Sequence, residues 1–361
     1  MKLLILEGFL PQGSALAKVF KESDPKSYIE SRNDKKNLYD IILQISTFNI
    51  YDAFSYKENF VSQNDFLKFD YVIPTGARST KALLNTYNKI KYNDFLIDKT
   101  MLVSYKKIRM LEIVKNLDIP TPKTYLSPEE IKEFPIFYKE RSELGIRGIR
   151  GIAFRKEDIP KRCNLLYQEY ISSPYTFGVG FLAQDGEILT HFIHREILST
   201  PPIGGSGVIV EAYEDSVLVD YTQRIVKELN YNGWGLAEYK YNPKIDDYVF
   251  MEINSKWWAS CIFHFFNNPK FLKIPFGVDF KQKKVIRAIF LNRLLELGPL
   301  FFIRNIHQLT KSKIFVDRIP IIETIEFILP DFAKNYIWNL FRKNKVLTDL
   351  EGEKYENCNN C

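Results

Sequence analysis

In one short stretch of the sequence, a run of apolar residues is followed by three polar side chains of different charge. In VFMEINSKWWAS, residues 249–260, the acid Glu252 is followed by the amide Asn254 and the ammonium Lys256, at intervals of two residues. Side chains two residues apart lie on the same face of a β-strand. A strand that ends here would therefore present a carboxylate and an amide oxygen on one face, with a cation just behind them.

A second acid, Glu238, belongs to the strand that the pattern predicts immediately upstream. The segments GLAEYKYN and DYVFMEIN are joined by NPKIDD, and together they predict a β-hairpin. If its register places Glu238 opposite Glu252, two carboxylates and the Asn254 amide converge. Mg²⁺ or Mn²⁺ prefers such oxygen ligands, and the gathered negative charge favours a cation. The alternative is a solvated strand end with ordinary salt bridges.

Positive charge stands upstream, where the phosphates of a nucleotide would need it. Lys107 begins a segment with apolar residues at helical spacing, and Lys139 ends the predicted strand FPIFYK. The loop SELGIRGIR, which contains Gly145 and Gly148, follows Lys139 directly. Backbone amides and arginines of such a loop can fold over a triphosphate, with solvated arginines as the alternative. In QEYI, residues 168–171, a predicted strand runs into a turn; its backbone groups could pair with an adenine ring, although many strands end in this way.

The composition is that of an ordinary globular protein. The chain has 361 residues, of which 45% are hydrophobic and 26% charged, and its net charge is +6. This length predicts two or three lobes. The basic residues are scattered, which argues against a nucleic-acid-binding protein. No segment has the pattern of a secretory signal or of a transmembrane helix.

Cysteine usage predicts a reducing, cytoplasmic environment. Cys163 and Cys261 are predicted to be isolated core thiols. Cys358 and Cys361 form a C-x-x-C without the second pair of ligands that a zinc site needs. We therefore expect a disordered tail there, with a metal or redox role as the alternative.

The predicted elements divide the chain into three parts. Residues 1–100 begin with the strand LLILEGF and a helix capped by Ser14, which predicts an α/β domain. Short strands dominate residues 101–275, and a helix is predicted over 217–229. Residues 276–361 predict a mostly helical extension. Its apolar stretches, such as IFLNRLLELGPLFFIRN, are expected to be buried, with a face against a membrane or partner as the alternative.

The order of these features resembles the ATP-grasp superfamily, in particular its carbamoyl-phosphate-synthetase-like and carboxylate–amine ligase branches. The resemblance runs from about Lys107 to Ser260, and its pieces are Lys107 eleven residues before DIPTP, Lys139, QEYI, NGWGLAEY and MEINSKWWAS. It implies an α/β fold with a Rossmann-like pre-ATP-grasp lobe, a two-lobed nucleotide-binding module and a C-terminal extension. The lid subdomain of that module would span about residues 115–175.

The resemblance also implies roles for single residues. Positions that match the family's ATP contacts are Lys107, Lys139, Gly145, Gly148, Gln168, Glu169, Tyr170 and Ile171. Positions that match its metal ligands are Glu238, Glu252 and Asn254. Positions that match its catalytic cations are Arg195 and Lys256. Lys256 replaces the family's usual arginine, so the planar fork that grips a phosphate or carboxylate is missing, and Ser255 replaces its usual proline.

By this resemblance the protein would be an ATP-dependent carboxylate–amine ligase that forms an acylphosphate and converts ATP to ADP and phosphate. The alternatives are another ATP-grasp phosphotransferase or thiol ligase, or a non-catalytic ATP-binding protein. The expected partners are a small-molecule carboxylate and an amine, whose identities the sequence leaves open. Arg78, in TGARST, is a candidate carboxylate binder, with a surface role as the alternative. A homo-oligomer is compatible with the sequence.

Overall fold

The computed structural model describes most of the chain in six continuous ranges. These are residues 1–33, 53–56, 60–141, 149–161, 164–202 and 204–317, together with the single residues 324, 327 and 329. The predictions for Gly145, Gly148, Cys163, Cys358 and Cys361 lie outside the described residues.

The chain begins with a four-stranded parallel sheet. Its strands are β1 (Lys2–Leu6), β2 (Tyr28–Asn33), β3 (Ala53–Tyr56) and β4 (Tyr71–Pro74), in the order β3-β2-β1-β4. The accompanying helices are α1 (Pro11–Ser23), α2 (Gln63–Lys68) and α3 (Ala77–Tyr87). The apolar run of β1 is buried, as expected for a parallel strand covered on both faces.

Helix α1 starts earlier than the sequence predicts. Its first residue is Pro11, whose fixed φ suits the first helical position, so the cap predicted at Ser14 is wrong. Ser14 lies inside the helix, and its hydroxyl donates a hydrogen bond to the carbonyl of Asp317. The Ser14 side chain, which the local pattern predicts to cap the helix, is thus hydrogen-bonded to a residue more than 300 positions away.

A hairpin and two short helices lead to a small antiparallel sheet. The hairpin is formed by β5 (Lys89–Tyr92) and β6 (Phe95–Asp98), followed by a 3₁₀ helix (Lys99–Tyr105) and α4 (Lys107–Lys115). The small sheet consists of β7 (Thr124–Tyr125), β8 (Ile136–Glu140), β9 (Arg150–Ala153) and β10 (Leu165–Glu169), in the order β7-β10-β8-β9. The helix predicted over 103–117 is therefore divided, because Lys106 has a non-helical backbone.

The largest element is a seven-stranded central sheet. Its strands are β11 (Thr176–Gln184), β12 (Glu187–Thr200), β13 (Ser206–Tyr213), β14 (Gly233–Asn242), β15 (Asp247–Asn254), β16 (Arg287–Phe290) and β17 (Lys313–Phe315), in the order β15-β14-β11-β12-β13-β16-β17. All neighbouring pairs are antiparallel except β16–β17. The predicted hairpin is confirmed as β14–β15.

Helices cover both faces of the central sheet. They are α5 (Ser216–Glu228), α6 (Cys261–Asn267), α7 (Lys270–Phe276), α8 (Leu291–Glu296) and α9 (Pro299–Leu309). On one face Thr222 of α5 hydrogen-bonds the hydroxyl of Tyr239 at 2.9 Å. On the other face α6 lies so close to β11 that a Cβ added to Gly180 would be 2.5 Å from Nδ1 of His264. No helix within the described ranges is long and apolar enough to cross a lipid bilayer.

Candidate functional site

Two carboxylates face each other across the β14–β15 hairpin. The register pairs Glu238 with Glu252, and Leu236 with Asn254. Residues directly opposite on neighbouring strands have Cβ atoms about 4.5–5.5 Å apart, so the convergence that the sequence predicts is present. Asn254, two residues after Glu252, extends the same face toward the end of the strand.

Two lysines from other elements meet Glu252. The ammonium of Lys139, in β8 of the small sheet, donates a hydrogen bond to Oε2 of Glu252 at 3.0 Å. The ammonium of Lys107, at the start of α4, lies 3.8 Å from the same oxygen. The Lys256 ammonium donates to Oδ1 of Asn254 at 3.3 Å. The small sheet, α4 and the central sheet therefore join at one cluster of charges.

Burial and neighbouring charges separate the pKa values of the two carboxyl groups. Burial raises the pKa of Glu238 to about 8, and the negative charge of Glu252 adds to the effect. Burial also opposes ionisation of Glu252, but the ammonium groups of Lys139 and Lys107 outweigh it and hold the pKa of Glu252 well below its usual range. A cation between the two carboxyl groups would favour the ionised form of both.

The donor set suits a hard divalent cation. Two carboxylates and an amide oxygen are ligands that Mg²⁺ accepts, and Mg²⁺ commonly takes its remaining ligands from water and phosphate. Among the described residues there is no group of three or more His, Cys, Asp or Glu side chains that would hold a metal ion alone. Two carboxylates and one amide are fewer ligands than an octahedral ion takes, so such an ion would need further oxygen ligands from outside this set.

Three hydroxyl groups fix the turn between Asn254 and Lys256. The side chain of Ser255 is hydrogen-bonded by Ser104 and by Tyr231, both at 2.7 Å, and its carbonyl accepts from the hydroxyl of Tyr105 at 2.9 Å. Ser255 is only 1% exposed. These hydrogen bonds were not predicted from the sequence, because the only indication there was that Ser255 replaces the family's usual proline.

The predicted adenine hinge lies at the end of β10, beside the strand that carries Lys139. Glu169 makes two hydrogen bonds with the backbone of Lys123. Its N–H donates to the Lys123 carbonyl at 2.8 Å, and its side-chain carboxylate accepts from the Lys123 N–H at 3.2 Å. Gln168 is fully buried, and its Nε2 donates to Thr124 at 3.3 Å. Its Oε1 is buried without a hydrogen-bond partner. The role of residues 168–171 in nucleotide binding stays a prediction.

The structure does not bring Arg195 to the other predicted site residues. In the central sheet Glu238 pairs with Gly178, and Gly178 pairs with His194, so the side chain of His194 shares the carboxylate face. Arg195, one residue later, points to the opposite face. There its guanidinium donates two hydrogen bonds, at 2.9 and 2.8 Å, to Oε2 of Glu211. This placement gives Arg195 a structural partner at a distance from the carboxylates.

The neighbouring histidine and tryptophans are packed into the core. Nδ1 of His194 and Nε2 of His264 are hydrogen-bonded at 2.8 Å, and both rings are buried. Burial, reinforced by His194, lowers the pKa of His264 well below its usual value. Trp257 is fully buried and Trp258 is 3% exposed. Cys261 is likewise a buried thiol.

Polar groups also gather at the carboxyl ends of the parallel strands. Oε2 of Glu7, just after β1, accepts a hydrogen bond from the N–H of Ser79 at 2.9 Å. Arg78, in the first turn of α3, interacts electrostatically with Glu7. The ammonium of Lys81, one turn later, lies 5.1 Å from the ring centroid of Tyr105. Because Tyr105 holds the backbone of Ser255, this edge of the sheet adjoins the charged cluster.

Solved structures share this fold at low sequence identity. A biotin carboxylase from Campylobacter jejuni, solved as a β-γ-ATP complex, aligns with a TM-score of 0.55 and 14% identity over 78% of this chain and 72% of its own. An L-amino acid ligase from Bacillus licheniformis gives 0.51 and 13%, over 73% and 69%. Pyruvate carboxylase from Rhizobium etli gives 0.50 and 14% over 71% of this chain, which spans only 26% of that longer chain.

No protein-family model and no curated protein sequence matches the chain. The structural likenesses show that the chain has the ATP-grasp fold, which confirms the fold that the sequence motifs imply. Identities of 13–14% define a fold and leave the reaction to be argued from the site itself.

Proposed function

We propose that the protein is an ATP-dependent ligase that joins a carboxylate to an amine through an acylphosphate. The observation that carries this proposal is the convergence of Glu238, Glu252 and Asn254 with three lysines on an ATP-grasp fold. A site with both hard-metal ligands and ammonium groups is suited to Mg-ATP, because phosphoryl transfer depends mainly on alignment and charge neutralisation.

Each group has a separate task in this proposal. Glu238, Glu252 and Asn254 would hold Mg²⁺ or Mn²⁺, which supplies charge neutralisation and orientation to the phosphates of ATP. Lys107 and Lys139 would turn from Glu252 to phosphate oxygens when the nucleotide binds. Lys256 would neutralise the transferred group from the end of β15. The hinge, residues 168–171, would receive the adenine, and Gly145 and Gly148 would belong to the loop over the phosphates.

The reaction proceeds in two displacements. A carboxylate oxygen of the first substrate attacks the γ-phosphorus of ATP, the bond from that phosphorus to the bridging oxygen breaks, and ADP leaves. The amine of the second substrate then attacks the acyl carbon and loses a proton, and phosphate departs with the electron pair of the broken C–O bond. The products are an amide, ADP and phosphate.

The acceptor site is proposed at the N-terminal sheet. Strand β1 lies between β2 and β4. The order of the strands across the sheet therefore reverses at β1. Ligands of open α/β sheets bind at such a reversal, in the crevice outside the carboxyl ends of the strands. Glu7 and Arg78 stand there, and an acid beside a guanidinium suits substrates with amino and carboxylate groups.

A screen of carboxylate and amine pairs with Mg-ATP tests the proposal. We expect phosphate release that requires both substrates, with ADP as the nucleotide product and an amide by mass spectrometry. Glu238→Gln is expected to abolish it, whereas Glu187→Gln, the same change in an exposed residue at the start of β12, leaves it intact. A stable phosphorylated product without amide would identify a phosphotransferase, and nucleotide binding without turnover for any pair would contradict an enzymatic role.

A further inference from the structure

The outer face of α9 carries three exposed aliphatic side chains, with the exposed His307 among them. Leu300 is 70% exposed, Ile303 64% and Ile306 52%. Their spacing of three residues places them in one stripe along a helix of eleven residues, about 120° wide at about 100° per residue. The sequence predicts that the apolar stretch IFLNRLLELGPLFFIRN is buried; Ile289, Phe290 and Leu294 are buried, whereas Leu300 and Ile303 are exposed.

The inner face of the same helix already attaches it to the protein. Phe302 and Leu309 pack against a core formed by Val208, Ile209, Ile289 and Leu294. Gln308 accepts a hydrogen bond from the guanidinium of Arg287. The exposed stripe is therefore not part of the contacts that hold α9 on the central sheet.

Positive charge borders this stripe. Arg304 lies about 40° from Leu300 around the helix, and Lys311 follows two residues after the helix ends at Leu309. Both are exposed. From residue 297 to residue 316 the sequence contains Arg304, Lys311 and Lys313 and no aspartate or glutamate. A partner that is apolar in its interior and negatively charged at its margin would therefore complement this surface.

We infer that α9 is an interfacial helix that docks the protein on an anionic phospholipid surface. The three aliphatic side chains would enter the boundary between headgroups and acyl chains, while Arg304 and Lys311 reach the lipid phosphates. A lipid surface meets both requirements along the full length of the helix. This inference does not depend on the proposed ligase activity, because the stripe contains none of the proposed site residues.

Vesicle co-sedimentation of the full chain tests the inference. We expect binding to phosphatidylcholine vesicles that contain phosphatidylglycerol, much weaker binding to phosphatidylcholine alone, and loss of binding as salt is raised. The double variant Ile303→Ser/Ile306→Ser should bind at least about tenfold more weakly, since two aliphatic anchors are removed. Arg304→Gln/Lys311→Gln should lose about fivefold for each charge.

Matched controls separate the helix from a general surface effect. Leu67→Ser removes a side chain that is 86% exposed on α2, and Lys91→Gln removes a charge that is 67% exposed on β5; neither should alter binding. Three results would overturn the inference: no binding to anionic vesicles, equal binding to both vesicle types, or binding that the α9 variants leave unchanged. A dimer in light scattering that Ile303→Ser/Ile306→Ser dissociates would assign the stripe to a second copy of the chain instead.

Discussion

The sharpest test of the proposed site is Glu252→Gln. The change keeps the size of the side chain and an oxygen for Lys139, but removes the charge that Lys139 and Lys107 face at 3.0 and 3.8 Å. At an effective dielectric constant of about 20, an ion pair at 3.0 Å is worth about 5 kcal/mol before desolvation. Desolvation of the buried Lys139 and the partly buried Glu252 offsets much of that gain.

Glu238 limits the damage to stability. Part of what raises its pKa to about 8 is the charge of Glu252, so the variant lets Glu238 ionise at lower pH and partly neutralise the lysines. We therefore expect an unfolding free energy reduced by less than the roughly 3–5 kcal/mol that follows the loss of one partner of a buried pair. The protein should remain folded at 25 °C.

Turnover should respond much more strongly than stability. Loss of one electrostatic contact in a phosphoryl- or acyl-transfer site lowers the rate by about 10²–10³, and Glu252 also serves as a proposed metal ligand. Nucleotide affinity, measured by calorimetry without metal, should not fall, because three lysines then face one carboxylate. Mn²⁺ binding in the presence of ATP, followed by electron paramagnetic resonance, should weaken. Phosphate release at the wild-type rate, or unchanged Mn²⁺ binding, would refute the assignment of Glu252.

Three further outcomes follow from the geometry. In metal-free protein Glu238 holds its proton to about pH 8 when folded but only to about 4.5 when unfolded, so thermal stability should fall as the pH rises across that window. Glu238→Gln should flatten this pH profile of stability. A flat wild-type profile would contradict the burial of Glu238 beside Glu252. Gly180→Ala should lower the unfolding free energy by about 1–3 kcal/mol in denaturant titrations, because the added Cβ meets Trp258 at 2.4 Å, and unaltered stability would show that the ring moves freely. Arg195→Ala should lower the melting temperature yet leave the Michaelis constant for ATP unchanged, whereas a rise in that constant with stability intact would place Arg195 in the site.

The hairpin was predictable because its evidence is local. Alternating residues in β14 and β15 and the turn between them fix both the strands and the face on which Glu252 and Asn254 lie. Arg195 shows the limit of the same reasoning. A shift of one residue along a strand moves a side chain to the other face of the sheet, and a motif match without a known register does not determine the face on which the side chain lies.

The supports of the site could not be predicted in the same way. Ser104 and Tyr231 reach Ser255 across separations of 151 and 24 residues, and hydroxyl groups of this kind are common throughout any sequence. The early start of α1 has a similar cause, since Ser14 satisfies its hydroxyl with a distant carbonyl rather than with the helix end. Local patterns identify the candidate site residues, whereas long-range packing decides which residues hold them in place.

The anchoring of Ser255 sets a lower bound on the portion of the protein that can work alone. A fragment that starts at Lys107 would retain every position that matches the ATP and metal contacts of the superfamily. It would nevertheless lack Ser104 and Tyr105, two of the three hydroxyl donors around the turn before Lys256. Proteolytic trimming of the amino-terminal region should therefore disable the proposed nucleotide site even when the cleaved piece carries none of its proposed ligands.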